Sequence, residues 1–195
     1  MADDYGGVFG AFPYAFRHSE SWLFKFYVLV GAAATGIVSL FVVFGLVVLI
    51  GATAGVPGGS LTLSRSFYVL VGLFIVAPLV APILFVARRH RKTGSDRRYD
   101  LALALSGFVF MASVYVGLVA SVPPELQTPP RPITLGPIII SGFGPLSFGP
   151  LVFGPLTISF LVPVVGFLYD LPALYGLVPP LACAAGIYGV HRLLR

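Results

Sequence analysis

The side chains that could do nucleophilic, acid–base or metal chemistry are few in this sequence, and they are scattered. The three histidines, His18, His90 and His191, are far apart, and the one cysteine, Cys183, lies in an apolar run. No Cys/His spacing typical of a metal site occurs, so neither a metal nor another cofactor is expected. Three serines lie within apolar runs with no base nearby in the sequence, which favours helix packing over nucleophilic roles: Ser39, Ser106 and Ser113.

The interiors of the long apolar runs contain no Asp, Glu, Lys, Arg or His. A proton relay, an ion pump or an intramembrane hydrolase normally needs ionisable groups at such positions. We therefore expect a protein that is not an enzyme and has no catalytic residues. An enzyme that acts on lipid is the weakest alternative.

Basic residues form the densest chemical feature of the chain. Six of its twelve Lys and Arg residues lie in the basic segment, residues 88–98: Arg88, Arg89, Arg91, Lys92, Arg97 and Arg98. Because they are crowded between two apolar runs, they indicate a cytoplasmic loop rather than a nucleic-acid-binding surface. We expect these six side chains to contact anionic lipid headgroups.

Pro78 and Pro82 lie four residues apart within an apolar run. Each ring removes a backbone donor, so the carbonyls of Phe74 and Pro78 lose their usual helical partners. The pair predicts a kink, either static or acting as a hinge that lines a small polar cavity.

The composition of the chain predicts that long apolar helices carry the residues described above. Hydrophobic residues make up 57% of the 195 residues and charged residues 10%, whereas an average soluble domain is about 25% charged. Mean hydropathy is +0.97. Since about 20 apolar residues cross a bilayer, we predict four spans, at residues 26–50, 67–87, 101–122 and 171–190. Cleavage of the first span as a signal peptide is disfavoured by its length and by the long, partly acidic leader before it.

Several local signals refine these spans. Residues 1–25, the leader, are polar and aromatic, and we expect them to lie along the cytoplasmic membrane surface or, alternatively, to dock a partner. Ser64 or Ser66 could cap the second span. Asp100 is placed to interact with the positive end of the third span.

Orientation follows from the distribution of Lys and Arg. The basic segment holds six, whereas the loop after the first span holds Arg65 and the linker after the third holds Arg131. The positive-inside rule therefore predicts that the basic segment and both termini are cytoplasmic.

Small residues mark two faces for close helix packing. Ala32 with Gly36, and Ala182 with Gly186, have the small-xxx-small spacing that lets backbones approach in lipid. Packing within one chain is favoured over packing between two copies.

The pentad segment, residues 133–169, carries no charge and repeats the pattern Phe-Gly-Pro-Leu, beginning at Phe143, Phe148 and Phe153. Proline every five residues argues against a regular helix and against a central strand, and favours a chain of turns. We expect an apolar cap at the outer ends of the helices or a contact between subunits, in preference to a re-entrant hairpin. The three phenylalanines would supply most of the buried area.

Two stretches of the sequence resemble a known family. They are DDYGGVFGAFPYAFR, from Asp3 to Arg17, and ARRHRKTGSDRRYD, from Ala87 to Asp100. Both are similar to an uncharacterised family of small multi-pass membrane proteins from halophilic archaea. The resemblance covers residues 1–123 and, weakly, the last span. It implies a cell-membrane location and four helices, and it brings no activity.

The sequence thus predicts an all-α membrane protein, a four-transmembrane-helix bundle with an extracytoplasmic, Gly-Pro-rich, non-helical segment. Its predicted parts are the leader at 1–25, three spans at 26–122 with a basic loop at 88–99, an apolar insertion at 123–170, and a last span with a basic tail at 171–195. We expect a scaffold or accessory subunit that contacts membrane lipids and forms a homo-oligomer or joins a larger complex. The alternative is a small channel or transporter component with its pathway near Pro78 and Pro82.

Overall fold

The computed structural model describes most of the chain. The described residues are 7–55, 59–94, 96–124, 127, 131–135, 138–142, 151–153, 156–158 and 166–194; for the strands and for residues 59–62 and 173 only the backbone is described. They fall into two compact units, Met1–Met111 with Cys183–Arg195, and Ala112–Ala182.

Five α-helices make up most of the described chain. They are α1 Gly7–His18, α2 Trp22–Ala52, α3 Gly59–Thr93, α4 Arg97–Ala120 and α5 Val178–Leu193, the last preceded by a 3₁₀ helix at Ala173–Leu177. Four segments of these helices are long and apolar enough to cross a membrane: Trp22–Ala52, Leu63–Thr93, Arg97–Ala120 and Leu174–Leu193. The prediction of four spans is confirmed in the length and composition of these helices.

Two boundaries differ from the prediction. The second helix begins at Gly59, so Ser64 and Ser66 lie inside α3 and cap nothing at its start. At its other end α3 continues through Arg88 to Thr93, and Arg97 already opens α4. Lys and Arg are good helix formers, and basic residues complement the negative end of a helix, so a cluster of charges need not end one. The expected basic loop at 88–99 is therefore mostly helical.

A hairpin of α2 and α3 forms the core of the first unit. Ser21 caps α2 by accepting a hydrogen bond from the Phe24 amide at 3.3 Å. Close approach of the two helices depends on glycine: a Cβ at Gly45 would meet the Tyr68 hydroxyl, and one at Gly72 would lie 2.8 Å from Val42.

Tyr27 joins three helices in this unit. Its side chain is fully buried, its hydroxyl donates to the Leu79 carbonyl at 2.7 Å, and its ring meets Phe108 of α4 edge-on at 5.1 Å. The α4 backbone comes close at Gly107, where a Cβ would collide with the Tyr27 ring. Tyr27 therefore brings α2 and α4 together beside Leu79 of α3, which lies between Pro78 and Pro82.

The second unit contains a small antiparallel sheet in the order β1-β2-β3-β4. Its strands are Arg131–Leu135, Ile138–Gly142, Leu151–Phe153 and Leu156–Ile158. The prediction of an all-α protein holds for the four long apolar helices, and the short strands lie in the segment that was predicted to be non-helical, where they fit between the Gly-Pro pairs. Pro132 lies in the edge strand β1, where a missing amide donor is tolerated.

Candidate functional site

The polar contacts of the first unit concentrate where α3 ends and α4 begins. Asp100 lies in the first turn of α4, fully buried, and its Oδ2 accepts two hydrogen bonds. Ser19 Oγ donates at 2.6 Å and His90 Nε2 donates at 2.9 Å. Ser19 follows α1 and His90 lies in the last turn of α3, so one carboxylate fastens three parts of the chain together. We call Ser19, His90 and Asp100 the carboxylate cluster.

Local structure explains why a carboxylate is tolerated there. The Asp100 side chain lies at the positive end of α4, and Asp96 caps that end by accepting a hydrogen bond from the Arg98 amide at 2.9 Å. Ser19 is itself held, since its Oγ accepts from the Ser21 amide at 3.2 Å. Asp100 Oδ1 has no hydrogen-bond partner among the described residues.

The carboxylate cluster contains serine, histidine and aspartate but lacks the geometry of a hydrolase triad. In such a triad the serine bonds to histidine, and the aspartate orients that histidine from its other nitrogen. Here Ser19 and His90 both donate to the same oxygen of Asp100, and Ser19 is 2% exposed. The arrangement holds α1 against α3 and α4 and offers no activated nucleophile.

A second group of contacts fixes the end of α5. The Tyr99 hydroxyl and His191 Nδ1 are 2.5 Å apart, and the His191 ring stacks on Phe85 with centroids 4.1 Å apart. Arg89 lies over the Tyr99 ring at 4.1 Å and donates to the Leu194 carbonyl at 2.5 Å. The chain beyond α5 is therefore tied to α3 and α4.

The six basic residues of the basic segment fall into two groups. Arg88, Arg89 and Lys92 line a pocket of about 280 Å³ together with Phe85, Thr93 and His191. Arg91, Arg97 and Arg98 do not line it. Arg89 is half-buried and the other five are exposed. The sequence predicted the charge cluster but could not separate these groups, because the difference depends on α5 lying against α3.

An apolar groove of about 400 Å³ runs beside the proline pair. Its lining includes Leu70, Phe74, Pro78, Ala81 and Phe85 of α3, with Ala184, Ile187 and Tyr188 of α5. Pro82 is fully buried and does not line it. The structure therefore has an apolar groove beside the two prolines, and not the polar cavity that the hinge alternative predicts, because the groove walls are almost entirely hydrocarbon.

The predicted packing faces are exposed. Ala32, Gly36, Ala182 and Gly186 are all exposed, and a Cβ at Gly36 or Gly186 would have no neighbour within 4 Å among the described residues. The glycines that do make close contacts are others, including Gly117, which packs against the Gly176 backbone in the second unit. Close packing within one chain stays a prediction for these four residues.

The remaining predicted residues have limited descriptions. Phe143 and Phe148 lie outside the described residues, and of Phe153 only the backbone in β3 is described. Ser106 donates to the Leu103 carbonyl at 2.9 Å within its own helix, and its role in helix packing stays a prediction. Among the described residues no group of three His, Cys, Asp or Glu side chains could hold a metal ion.

Four long apolar helices define the class, since their length and composition are compatible with a multi-pass membrane protein. The chain belongs to a family whose model, described as a domain of unknown function (DUF8056), matches residues 1–195. The predicted membership of an uncharacterised family is thereby confirmed. No curated protein and no solved structure matches the chain.

Proposed function

We propose that this chain is a non-enzymatic integral membrane protein of the cell membrane that acts as a scaffold or accessory subunit. Both termini and the basic segment lie in the cytoplasm, and residues 123–170 lie on the outer side. The resemblance described above supports a source among halophilic archaea. One observation carries the scaffold role: Ala32 and Gly36 lie on an exposed surface of α2, whose most apolar window has none of its residues buried, against 33% and 39% for the spans in α3 and α4.

An exposed apolar helix is stable in lipid without any partner, so exposure alone does not support association. The composition of the α2 surface does. Ala32 and Gly36 lie on it one turn apart, and the space over Gly36 is open. Small residues let a second helix approach closely, which is a main source of helix association in membranes.

The occupant we propose for this face is α2 of a second copy. A two-fold contact places the same patch of both subunits together, so a single surface supplies both halves of the interface. The scaffold role is preferred over a channel near Pro78 and Pro82 for a chemical reason. The groove there is apolar, whereas a pathway for ions or water needs polar groups or water-filled space.

The test is the mass of the purified protein in a mild detergent. We expect the wild-type protein to be a dimer and Gly36→Leu to be a monomer, because the larger side chain holds the two helices apart. Gly186→Leu is the matched control: it is equally open and has the same spacing, but it lies on α5. Its mass should equal that of the wild type.

Two other outcomes decide between partners. If wild-type protein carries a different protein in fixed ratio, and Gly36→Leu loses it, the chain is an accessory subunit rather than a homo-oligomer. If the wild-type protein is a monomer with no bound protein, the proposed scaffold role is wrong.

A further inference from the structure

The pocket lined by Arg88, Arg89 and Lys92 and the apolar groove are neighbours along one seam. Both lie between α3 and α5, and Phe85 lines both. On α5 the groove ends at Ile187 and Tyr188, and His191 of the pocket follows one turn later. The charged pocket therefore continues directly into the apolar groove.

The charged pocket has the chemistry of a phosphate site. Its lining side chains include two guanidinium groups, one ammonium group, a threonine hydroxyl and an imidazole. Guanidinium groups bind phosphate oxygens in pairs, and lysine adds a point charge. Arg89 already donates to the Leu194 carbonyl, so exposed Arg88 and Lys92 supply the charge facing solvent.

The pocket is also held in shape by contacts described above. The His191 ring is fixed by the Phe85 stack and by the Tyr99 hydroxyl, and Arg89 is fixed by the Tyr99 ring and the Leu194 carbonyl. Two walls are thus positioned before any ligand binds, which lowers the entropic cost of binding.

The groove matches the length of a lipid chain. Its α3 lining runs from Leu70 to Phe85, which at about 1.5 Å per residue spans roughly 22 Å. One leaflet of the hydrocarbon core is about 15 Å thick, half of the whole core. A chain that starts beside Phe85 can therefore follow the groove through its leaflet.

We propose that this seam is a binding site for one anionic phospholipid, with its phosphate among Arg88, Arg89 and Lys92 and an acyl chain along the groove beside Pro78. The site takes its membrane setting from the function proposed above and goes beyond it, since neither dimerisation nor a partner is required. This binding site also differs from a general attraction of the basic segment to a charged membrane surface. Basic residues that line the pocket should matter for binding, whereas basic residues outside it should not.

The experiment is a titration of the purified full-length protein in a non-ionic detergent, followed by native mass spectrometry. The probes are phosphatidylglycerol, phosphatidylcholine and inorganic phosphate. We expect one phosphatidylglycerol per chain, bound at least about tenfold more tightly than phosphatidylcholine. Inorganic phosphate should compete only weakly, because it leaves the groove empty.

Two double variants separate the pocket from diffuse attraction. Arg88→Gln with Lys92→Gln should weaken phosphatidylglycerol binding about tenfold or more, since it removes the two cations of the pocket that face solvent. Arg97→Gln with Arg98→Gln removes the same charge from two exposed positions outside the pocket and should change binding less than twofold. Equal losses in the two variants would leave only diffuse attraction and overturn the proposal.

The groove is tested by filling it. Ala77 is exposed and lines the groove, so Ala77→Phe should weaken phosphatidylglycerol binding without unfolding the protein. Ala33→Phe, at an exposed position of α2 outside the groove, is the control. If Ala77→Phe binds normally and inorganic phosphate displaces the lipid fully, the pocket is a free phosphate site. If phosphatidylcholine binds as well as phosphatidylglycerol, the pocket recognises no charge.

Gly36→Leu should keep phosphatidylglycerol binding. A failure of the lipid site is therefore distinct from a failure of the scaffold role.

Discussion

Asp100 is the residue whose environment differs most from what its sequence context suggests. Its position at the start of a helix was predictable, but its contacts with Ser19 and His90 were not. Ser19 lies 81 positions away, and nothing in the sequence indicates that the leader folds back onto α4. The pairing of His90 with Asp100 had a weak signal, since the two residues flank the short connection between facing helix ends.

The carboxylate cluster predicts a clear order of stabilities. His90→Ala removes one of two donors from a fully buried carboxylate and should cost about 3–5 kcal/mol of unfolding free energy. Ser19→Ala should cost about 1–3 kcal/mol. The measurement is unfolding by denaturant in detergent, followed by the loss of helical circular dichroism.

The control for this prediction is His18→Ala. His18 is exposed and bonds to the Tyr14 carbonyl within its own helix, so its removal should cost less than about 0.5 kcal/mol. If His90→Ala and His18→Ala cost the same, the cluster contributes nothing to stability.

At the scale of elements, hydropathy predicted the helices and failed at their ends. Apolar runs identify what can cross a bilayer, but α3 extends well past its apolar run because Arg and Lys continue a helix as readily as Leu does. The strands were missed for a related reason. A proline at every fifth position argues against strands over the whole pentad segment, whereas strands of three residues need only the stretch between two prolines.

The contact of α2 with α4 predicts a coupled pair of substitutions. Gly107→Ala should destabilise the protein by about 1–3 kcal/mol, because the new methyl group meets the ring of Tyr27, which is fully buried and cannot swing away. Combining it with Tyr27→Phe removes the hydroxyl and its hydrogen bond to the Leu79 carbonyl, so the ring is free to shift away from the new methyl group. The loss in the double variant should be smaller than the sum of the single losses.

A glycine in open space provides the comparison. Gly189→Ala in α5 meets no atom within 4 Å and should be neutral or slightly stabilising, since alanine favours a helix. Thermal unfolding in detergent measures all four variants. If the stability losses of Gly107→Ala and Tyr27→Phe simply add in the double variant, the two residues are not energetically coupled.

At the scale of the whole molecule, the proposed orientation can be tested with single cysteines in a Cys183→Ala background. Ser95→Cys lies in the basic segment and should be protected from an impermeant thiol reagent in intact cells. Ser60→Cys lies between the first two predicted spans and Thr128→Cys between the last two, which the proposed orientation puts on the outer side, so both should be labelled.

Permeabilised cells supply the control, because there the reagent should reach Ser95→Cys as well. Labelling of Ser95→Cys in intact cells, with the other two protected, would reverse the orientation and move residues 123–170 to the cytoplasm.

The tip of the α2–α3 hairpin has a consequence for how the chain enters the membrane. Arg65 donates through Nε to Thr53 Oγ1 at 3.1 Å and through Nη2 to the Thr53 carbonyl at 3.1 Å, at the end of α2. When some of its N–H donors are already bonded to protein oxygens, a guanidinium group loses fewer hydrogen bonds to water as it crosses a bilayer. Insertion of α2 and α3 together, as one hairpin with this clasp already closed, therefore faces a lower barrier than insertion one helix at a time.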